Sequence, residues 1–112
     1  PVEDVMIPKK VKGNIGLIIK GYFNAPQDDI YTFALLSDDG STLTIDSEQI
    51  VDNDGPHGPK EIVGQKALAK GYHPMELRYF DQNGGQLKLK VTGSAGVGLY
   101  SVHGVNVLMI NV

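Results

Sequence analysis

The residues whose types and spacing could do chemistry lie in one acidic stretch. Between Gly21 and Pro59 the chain carries eight acidic residues and no Lys or Arg. Two of the acids, Asp38 and Asp39, are neighbours in the chain. Adjacent ionised carboxylates repel each other unless a positive charge lies close by. Because oxygen ligands suit calcium better than zinc, this pair points first to a calcium ion.

The segment from Ser37 to Ser41 also has the composition of a simple turn. Asp side chains hydrogen-bond to turn backbones, and Gly40 accepts a positive φ at no steric cost. A purely structural turn therefore remains open beside the metal site. The second acidic motif, residues 52–55, lacks the alternating acids of a helix-loop-helix calcium loop. It predicts a turn held by side-chain hydrogen bonds, which could bring Asp54 near a ligand.

The pattern around these motifs predicts strands joined by turns. Tyr31, Phe33 and Leu35 alternate with smaller residues, the period of two of a half-buried strand. The dipeptides in Asn83-Gly84-Gly85 are strong turn signals. Strands are predicted at 15–23, 30–36, 42–45, 49–51, 73–80, 87–91, 99–102 and 105–112. The prediction is an all-β fold, an antiparallel β-sandwich of jelly-roll-like form with a single domain over 1–112.

Two segments depart from this pattern. Residues 52–64 hold two Pro and three Gly and are predicted to be irregular. Pro74 interrupts an otherwise clear strand, so that strand is expected to lie at a sheet edge or to contain a bulge.

Composition excludes several function classes. The net charge is -3, whereas nucleic-acid binders cluster Lys and Arg. The sequence has no Cys, which removes disulfides and thiolate chemistry, and no apolar run approaches the ~20 residues of a membrane span. The three His are scattered and do not form a zinc motif; His57, between two Gly-Pro pairs, reads as an exposed loop residue. With five Tyr, three Phe and no Trp, most aromatic rings are expected in the core rather than stacked on a sugar.

A family resemblance rests on several motifs in order. The chain resembles the protective-antigen N-terminal (PA-fourteen) domain family over about residues 15–92, with 1–14 a lead-in or linker. Members are β-sandwiches attached to glycoside hydrolases, adhesins, signalling proteins and toxins, and those with known ligands mostly bind carbohydrate. The motifs are Gly21-Tyr22-Phe23, Ile30-Tyr31-Thr32-Phe33, Ser37-Asp38-Asp39-Gly40-Ser41, Leu43-Thr44-Ile45-Asp46, Val51-Asp52-Asn53-Asp54-Gly55, Gly71-Tyr72-His73-Pro74 and Arg78-Tyr79-Phe80.

The resemblance implies specific site residues. In the sugar-binding adhesins of the family, two neighbouring Asp joined by a cis peptide hold calcium, and the matching positions are Asp38 and Asp39. A later loop completes the site, which assigns Asn83 as a further ligand. Asp54 and His57 are expected to contact the glycan.

The implied function is a non-catalytic carbohydrate-binding module, calcium-dependent and excised from a larger secreted, periplasmic or cell-surface protein such as a bacterial glycoside hydrolase or an adhesin. Its expected partners are a glycan and a neighbouring catalytic or surface domain. The alternative is a structural or protein-interaction module that orients a neighbouring domain. An enzyme fits least, because the catalytic carboxylates of a glycosidase lie ~5 to 9.5 Å apart across a cleft and are not expected to be sequence neighbours in a turn.

Overall fold

A computed structural model describes residues 15–81, 85–94, 96–97 and 101–111. These residues form nine β-strands, and the described part of the chain contains no helix. The strands are β1 (Ile15–Ala25), β2 (Asp29–Asp38), β3 (Ser41–Ile45), β4 (Glu48–Asn53), β5 (Lys60–Leu68), β6 (Gly71–Asp81), β7 (Gln86–Gly93), β8 (Gly96–Val97) and β9 (Ser101–Asn111).

The strands form two antiparallel sheets that pack against each other. One sheet has five strands in the order β4-β3-β6-β1-β9, and the other has four in the order β5-β2-β7-β8. Chain neighbours β2 and β3 lie in different sheets, so the short connection between Asp38 and Ser41 crosses from one sheet to the other. The predicted all-β sandwich is confirmed.

The core lies between the two sheets and follows the period of two. Tyr31, Phe33 and Leu35 of β2 are fully buried, as the alternation predicts. The ring of Phe23 from β1 makes edge-to-face contacts with Tyr31 and Phe33, each at a centroid distance of 5.4 Å. The remaining buried apolar side chains are Leu17, Ala25, Leu43, Ile45, Val51, Leu68, Met75, Leu77, Tyr79, Leu87, Leu89 and Val91.

Two sequence predictions about strands were wrong. Residues 60–64 are regular, because β5 begins at Lys60 directly after the second Gly-Pro pair and forms the edge of the four-stranded sheet. The two strands predicted near the C-terminus are one strand, β9. Its register against β1 shifts between Lys20 and Tyr22, where Gly104 adopts a φ of 61°. This bulge accounts for the apparent break in the sequence pattern.

The prediction that Pro74 marks an edge strand or a bulge was also wrong. Strand β6 lies in the middle of its sheet, and its register against β1 runs through Pro74 without a shift. The carbonyl oxygen of Pro74 accepts a hydrogen bond from the backbone of Asp46, just beyond the end of β3 at Ile45. In a strand the N and C=O of one residue face the same neighbour. The position of the N–H that Pro74 lacks therefore faces β3, which has already ended at Ile45, so no hydrogen bond between the two strands is lost.

Candidate functional site

The acidic turn, defined as Asp38, Asp39 and Gly40, lies at the end of β2 where the chain crosses to β3. The peptide bond between Asp38 and Asp39 is cis, as the resemblance implies. Both acidic residues are partly exposed, whereas Ser37 and Ser41 on either side are buried. The turn therefore presents two adjacent carboxylate-bearing residues at one end of the sandwich.

Contacts from β6 fix the backbone of the acidic turn. The hydroxyl group of Tyr79 donates a hydrogen bond of 2.6 Å to the carbonyl oxygen of Asp38. The backbone N–H of Phe80 donates one of 2.8 Å to the carbonyl oxygen of Gly40. A Cβ at position 85 would overlap the carbonyl oxygen of Asp38, so only a glycine permits the backbone just before β7 to lie this close to the turn.

A buried polar cluster supports the turn from inside the sandwich. The hydroxyl groups of Ser37 and Ser41 lie 2.6 Å apart and share a hydrogen bond. The amide nitrogen of Asn53 donates to the hydroxyl oxygen of Ser37 at 3.3 Å and to the carbonyl oxygens of Leu35 at 3.1 Å and Lys60 at 2.7 Å. These bonds join β2, β3, β4 and β5 directly behind the acidic turn.

Asn53 is a residue that the sequence analysis missed as a support of the site. Its side chain is 2% exposed, and its Oδ1 is a buried side-chain atom with no hydrogen-bond partner in the described part of the chain. The available signal was its position, two residues after buried Val51 and therefore on the inward face of β4.

The loop after β4 lies against the acidic turn. A Cβ at Gly40 would be 2.8 Å from the Oδ1 of Asp54 and 2.6 Å from the backbone nitrogen of Gly55. The backbone of Asp54 donates to the carboxylate of Asp52 at 3.1 Å, which is the predicted turn held by a side chain. The fold thus brings Asp54 to the same end of the sandwich as Asp38 and Asp39.

His57 is held in the same loop through both ring nitrogens. Nε2 lies 2.8 Å from the carbonyl oxygen of Asn53, and Nδ1 lies 2.7 Å from that of Gly58. Because carbonyl oxygens only accept, both bonds form together only in the imidazolium ion. The bonds to Asn53 and Gly58 raise the pKa of His57, and the charge of Asp39 acts in the same direction.

A groove of about 310 Å³ runs beside the acidic turn along the five-stranded sheet. Gly40, Asp54, Arg78 and Phe80 are among the residues that line it. In the described part of the chain, no Lys, Arg or His forms an ion pair with Asp38. The end of the sandwich is therefore a concave surface with an acidic rim.

The family of the chain follows from its sequence as a whole. The sequence model of the PA14 domain matches residues 2–106. The chain belongs to the PA14 domain family. No curated protein sequence matches it.

Solved structures of PA14 domains share the fold. The chain is 25% identical to a PA14 sugar-binding domain from an RTX adhesin, with a TM-score of 0.62 over 76% of this chain and 48% of that one. It is 20% identical to the PA14 domain of the MpAFP antifreeze protein, with a TM-score of 0.64 over 78% of this chain and 47% of that one. A β-glucosidase from Kluyveromyces marxianus, solved with glucose, is 19% identical, with a TM-score of 0.63 over 70% of this chain and 10% of the enzyme. The chain thus spans half or less of the length of these relatives.

The acidic residues near the acidic turn of this PA14 domain are the candidate metal ligands. Asp38 and Asp39 are adjacent and Asp54 lies at the same end of the sandwich, and all three carry carboxylate oxygens, the atoms that calcium prefers. Among the described residues, however, no three acidic, His or Cys side chains are grouped so as to hold a metal ion. Asn83, the further ligand that we expected, lies outside the described residues. The described portion also contains no helix long and apolar enough to span a membrane.

Proposed function

We propose that this PA14 domain is a non-catalytic carbohydrate-binding module that binds glycan hydroxyls at the acidic turn with the help of calcium. The observation that carries the proposal is the adjacent, partly exposed pair Asp38 and Asp39 beside the oxygen of Asp54. The adhesin relative is a sugar-binding domain, and carbohydrate is the ligand class that this likeness favours.

Each residue of the proposed site has a distinct role. Asp38 and Asp39 provide the charged oxygen ligands, and Asn83 provides a neutral one from the β6–β7 connection. Calcium, when bound, offers open coordination positions to vicinal hydroxyl groups of a sugar. Asp54 accepts hydrogen bonds from further hydroxyl groups. His57 contacts the glycan with its ring at the rim of the site, because both of its ring nitrogens are bonded to backbone carbonyl oxygens. Affinity for one sugar unit is expected to be modest, because sugar hydroxyls bind calcium about as strongly as the water molecules that they replace.

We further propose that the module belongs to a larger secreted, periplasmic or cell-surface protein. The β-glucosidase relative favours this setting, because its matched region is only 10% of the enzyme. A glycan and a neighbouring catalytic or surface domain are then the partners. In this role the module concentrates its parent protein on a glycan surface, and the reaction, if any, belongs to another domain.

A second candidate function is a structural module that orients a neighbouring domain. The observation that favours it is the absence of a group of three acidic or His ligands among the described residues. In this reading the acidic turn only joins the two sheets, and neither calcium nor sugar binds there.

Thermal unfolding with calcium or chelator separates the two functions. At free calcium about 100 times its dissociation constant, binding to the native state adds about 2.7 kcal/mol and raises the midpoint by about 10 °C or more. Asp39→Asn is expected to remove this shift. Glu61→Gln is the matched control, because Glu61 is an exposed acid on β5 and the substitution changes the charge equally.

A glycan array probed with calcium or with chelator completes the test. Calcium-dependent binding that Asp39→Asn abolishes and Glu61→Gln preserves supports the carbohydrate module. A midpoint that calcium leaves unchanged, together with no glycan binding in calcium, contradicts it and favours the structural module.

A further inference from the structure

The outer face of the five-stranded sheet carries exposed aromatic rings far from the acidic turn along the strands. Tyr22 of β1 is 49% exposed and Tyr72 of β6 is 61% exposed. The register pairs Tyr22 with Pro74 and Asn24 with Tyr72, so the two Tyr are diagonal neighbours on the same face. Tyr31, Phe33 and Tyr79 lie in the core, as expected for most of the rings, whereas these two do not.

The bulge in β9 adds a third ring to this face. Lys20 pairs with Asn106, and two positions later Tyr22 pairs with His103, so β9 has one extra residue between the pairs. Without the bulge, Gly104 would lie opposite Tyr22. The ring of His103 packs edge-on with that of Tyr72 at a centroid distance of 5.2 Å and an interplanar angle of 90°. The aromatic platform is therefore defined as Tyr22, Tyr72 and His103, and Pro74 of β6 lies opposite Tyr22 on the same face.

Polar groups border the platform in a groove of about 510 Å³. Lys20 and Glu76 lie opposite each other in the register and form an ion pair at 3.5 Å. Glu76 also accepts from Arg78 at 2.6 Å. Thr44 and Asn106 line the same groove and add a hydroxyl and an amide group.

This combination favours a saccharide over an apolar protein surface. An apolar partner would take Lys20 and Glu76 out of water without replacing their hydrogen bonds, which is costly. A sugar presents C–H groups on the faces of its ring, and these pack on the electron-rich faces of aromatic rings. Its hydroxyl groups lie around the edge of the ring and can replace the water bound to Lys20, Glu76 and Asn106. The opposite charges in the groove largely compensate, which suits an uncharged glycan.

We propose that the aromatic platform is a second carbohydrate-binding surface, for a neutral polysaccharide chain, and that it acts without calcium. Tyr22 and Tyr72 provide the stacking surface, and the Lys20–Glu76 pair and Asn106 bind the hydroxyl groups. The groove is open and follows regular strands, so it suits consecutive units of a chain better than one terminal sugar. This site does not depend on the acidic turn, and either site can fail without the other.

The test is affinity electrophoresis of the chain in gels with mixed-linkage β-glucan, galactomannan or xyloglucan, each with a chelator present. We expect at least one polysaccharide to retard the wild-type chain. Tyr72→Ala and Tyr22→Ala should each weaken that binding about tenfold, whereas Tyr72→Phe and Tyr22→Phe should stay within about threefold because the ring is kept. Asp39→Asn should have no effect. Val63→Ala is the matched control, since Val63 is 54% exposed on the other sheet.

Several outcomes overturn the proposal. One is unchanged mobility of the wild-type chain in all three gels, and another is retardation that Tyr72→Ala leaves intact. Retardation that appears in a parallel set of gels with calcium and is lost in the gels with chelator assigns the polysaccharide to the acidic turn instead. Sedimentation that shows self-association of the wild-type chain, lost in Tyr72→Ala, assigns the platform to a protein contact. If the circular dichroism spectra of the variants match that of the wild-type chain, misfolding is excluded as the cause of lost binding.

Discussion

The acidic turn lies where the chain crosses between the two sheets, whereas the aromatic platform lies on the outer face of the five-stranded sheet, and the two differ in what holds them in place. The turn depends on backbone atoms, since Tyr79, Phe80 and Gly85 all act on the main chain of Asp38 or Gly40. The platform depends on side chains that project from regular strands at fixed register. A loop site of this kind should be sensitive to small backbone changes, whereas a site on a sheet face should tolerate them.

The largest expected effect is at Gly85. Gly85→Ala places a Cβ against the carbonyl oxygen of Asp38, and we expect a loss of about 3 kcal/mol or more in unfolding free energy. Gly64→Ala is the matched variant, because its Cβ would overlap the carbonyl oxygen of Ile50 on β4 of the other sheet instead.

Urea unfolding with and without calcium measures both effects. Both variants should be destabilised, but only Gly85→Ala should also lose the calcium response. A Gly85→Ala chain with wild-type stability would show that the turn does not need this close approach.

The second effect concerns the cluster behind the turn. Asn53→Ala removes three hydrogen bonds and leaves the buried carbonyl oxygen of Leu35 and the partly buried one of Lys60 without this donor. We expect a loss of about 2 kcal/mol, measured by urea unfolding. Retardation by polysaccharide in the presence of chelator should be unchanged. If Asn53→Ala reduced that binding as strongly as it reduced the calcium response, the two sites would not be independent.

The third effect is a pH dependence of the stability, which arises from His73 at the end of the sandwich opposite the acidic turn. The ring of His73 bonds to the carboxylate of Asp46 at 2.8 Å and to the carbonyl oxygen of Ala69 at 2.7 Å. Burial lowers the pKa of His73, but these two bonds outweigh it and the pKa is raised. A raised pKa in the folded state contributes stability that is fully present below about pH 6.5 and is lost as the pH rises through the folded value.

NMR titration of the His73 ring measures this shift directly. We expect a pKa above that of an unfolded His, and Asp46→Asn should lower it. The thermal midpoint of the wild-type chain should also fall as the pH rises through this range, with a smaller change in Asp46→Asn. A His73 pKa at or below its ordinary value would contradict the hydrogen-bond assignment.

The smallest effect on stability is at the platform. Tyr72→Ala removes an exposed ring, so the unfolding free energy should change by no more than about 0.5 kcal/mol. A much larger loss would show that the ring supports the fold, which would weaken the case for a ligand surface.

The sequence predicted the acidic turn better than the platform. Asp38, Asp39 and Gly40 form a local motif, and the fold places them in a turn as predicted, although Gly40 does not take the positive φ that was expected of it. The buried face of β2 could be predicted equally well, because a strand with one face in the core places large apolar residues at every second position. The link from Asn53 to Ser37 depends on packing between sheets, and no local pattern encodes it.

The first half of strand β5 was not predicted, and the reason is physical. As an edge strand it buries little, and its apolar residues do not alternate with polar ones: Val63 and Ala67 are exposed, while Gly64 and Lys66 are partly buried. Predicting the aromatic platform would have required the register between β1, β6 and β9, including the bulge at Gly104. One signal was present, because Tyr72 alternates with the inward series that contains Met75 and Leu77 and must therefore face outward.

Calorimetric titration of calcium into the chain tests the central claim most directly. We predict binding at a single site in the wild-type chain, loss of that binding in Asp38→Asn and Asp39→Asn, and retention in Glu61→Gln. An absence of calcium binding in the wild-type chain, both alone and with a glycan that it binds, would contradict a metal-assisted site at the acidic turn.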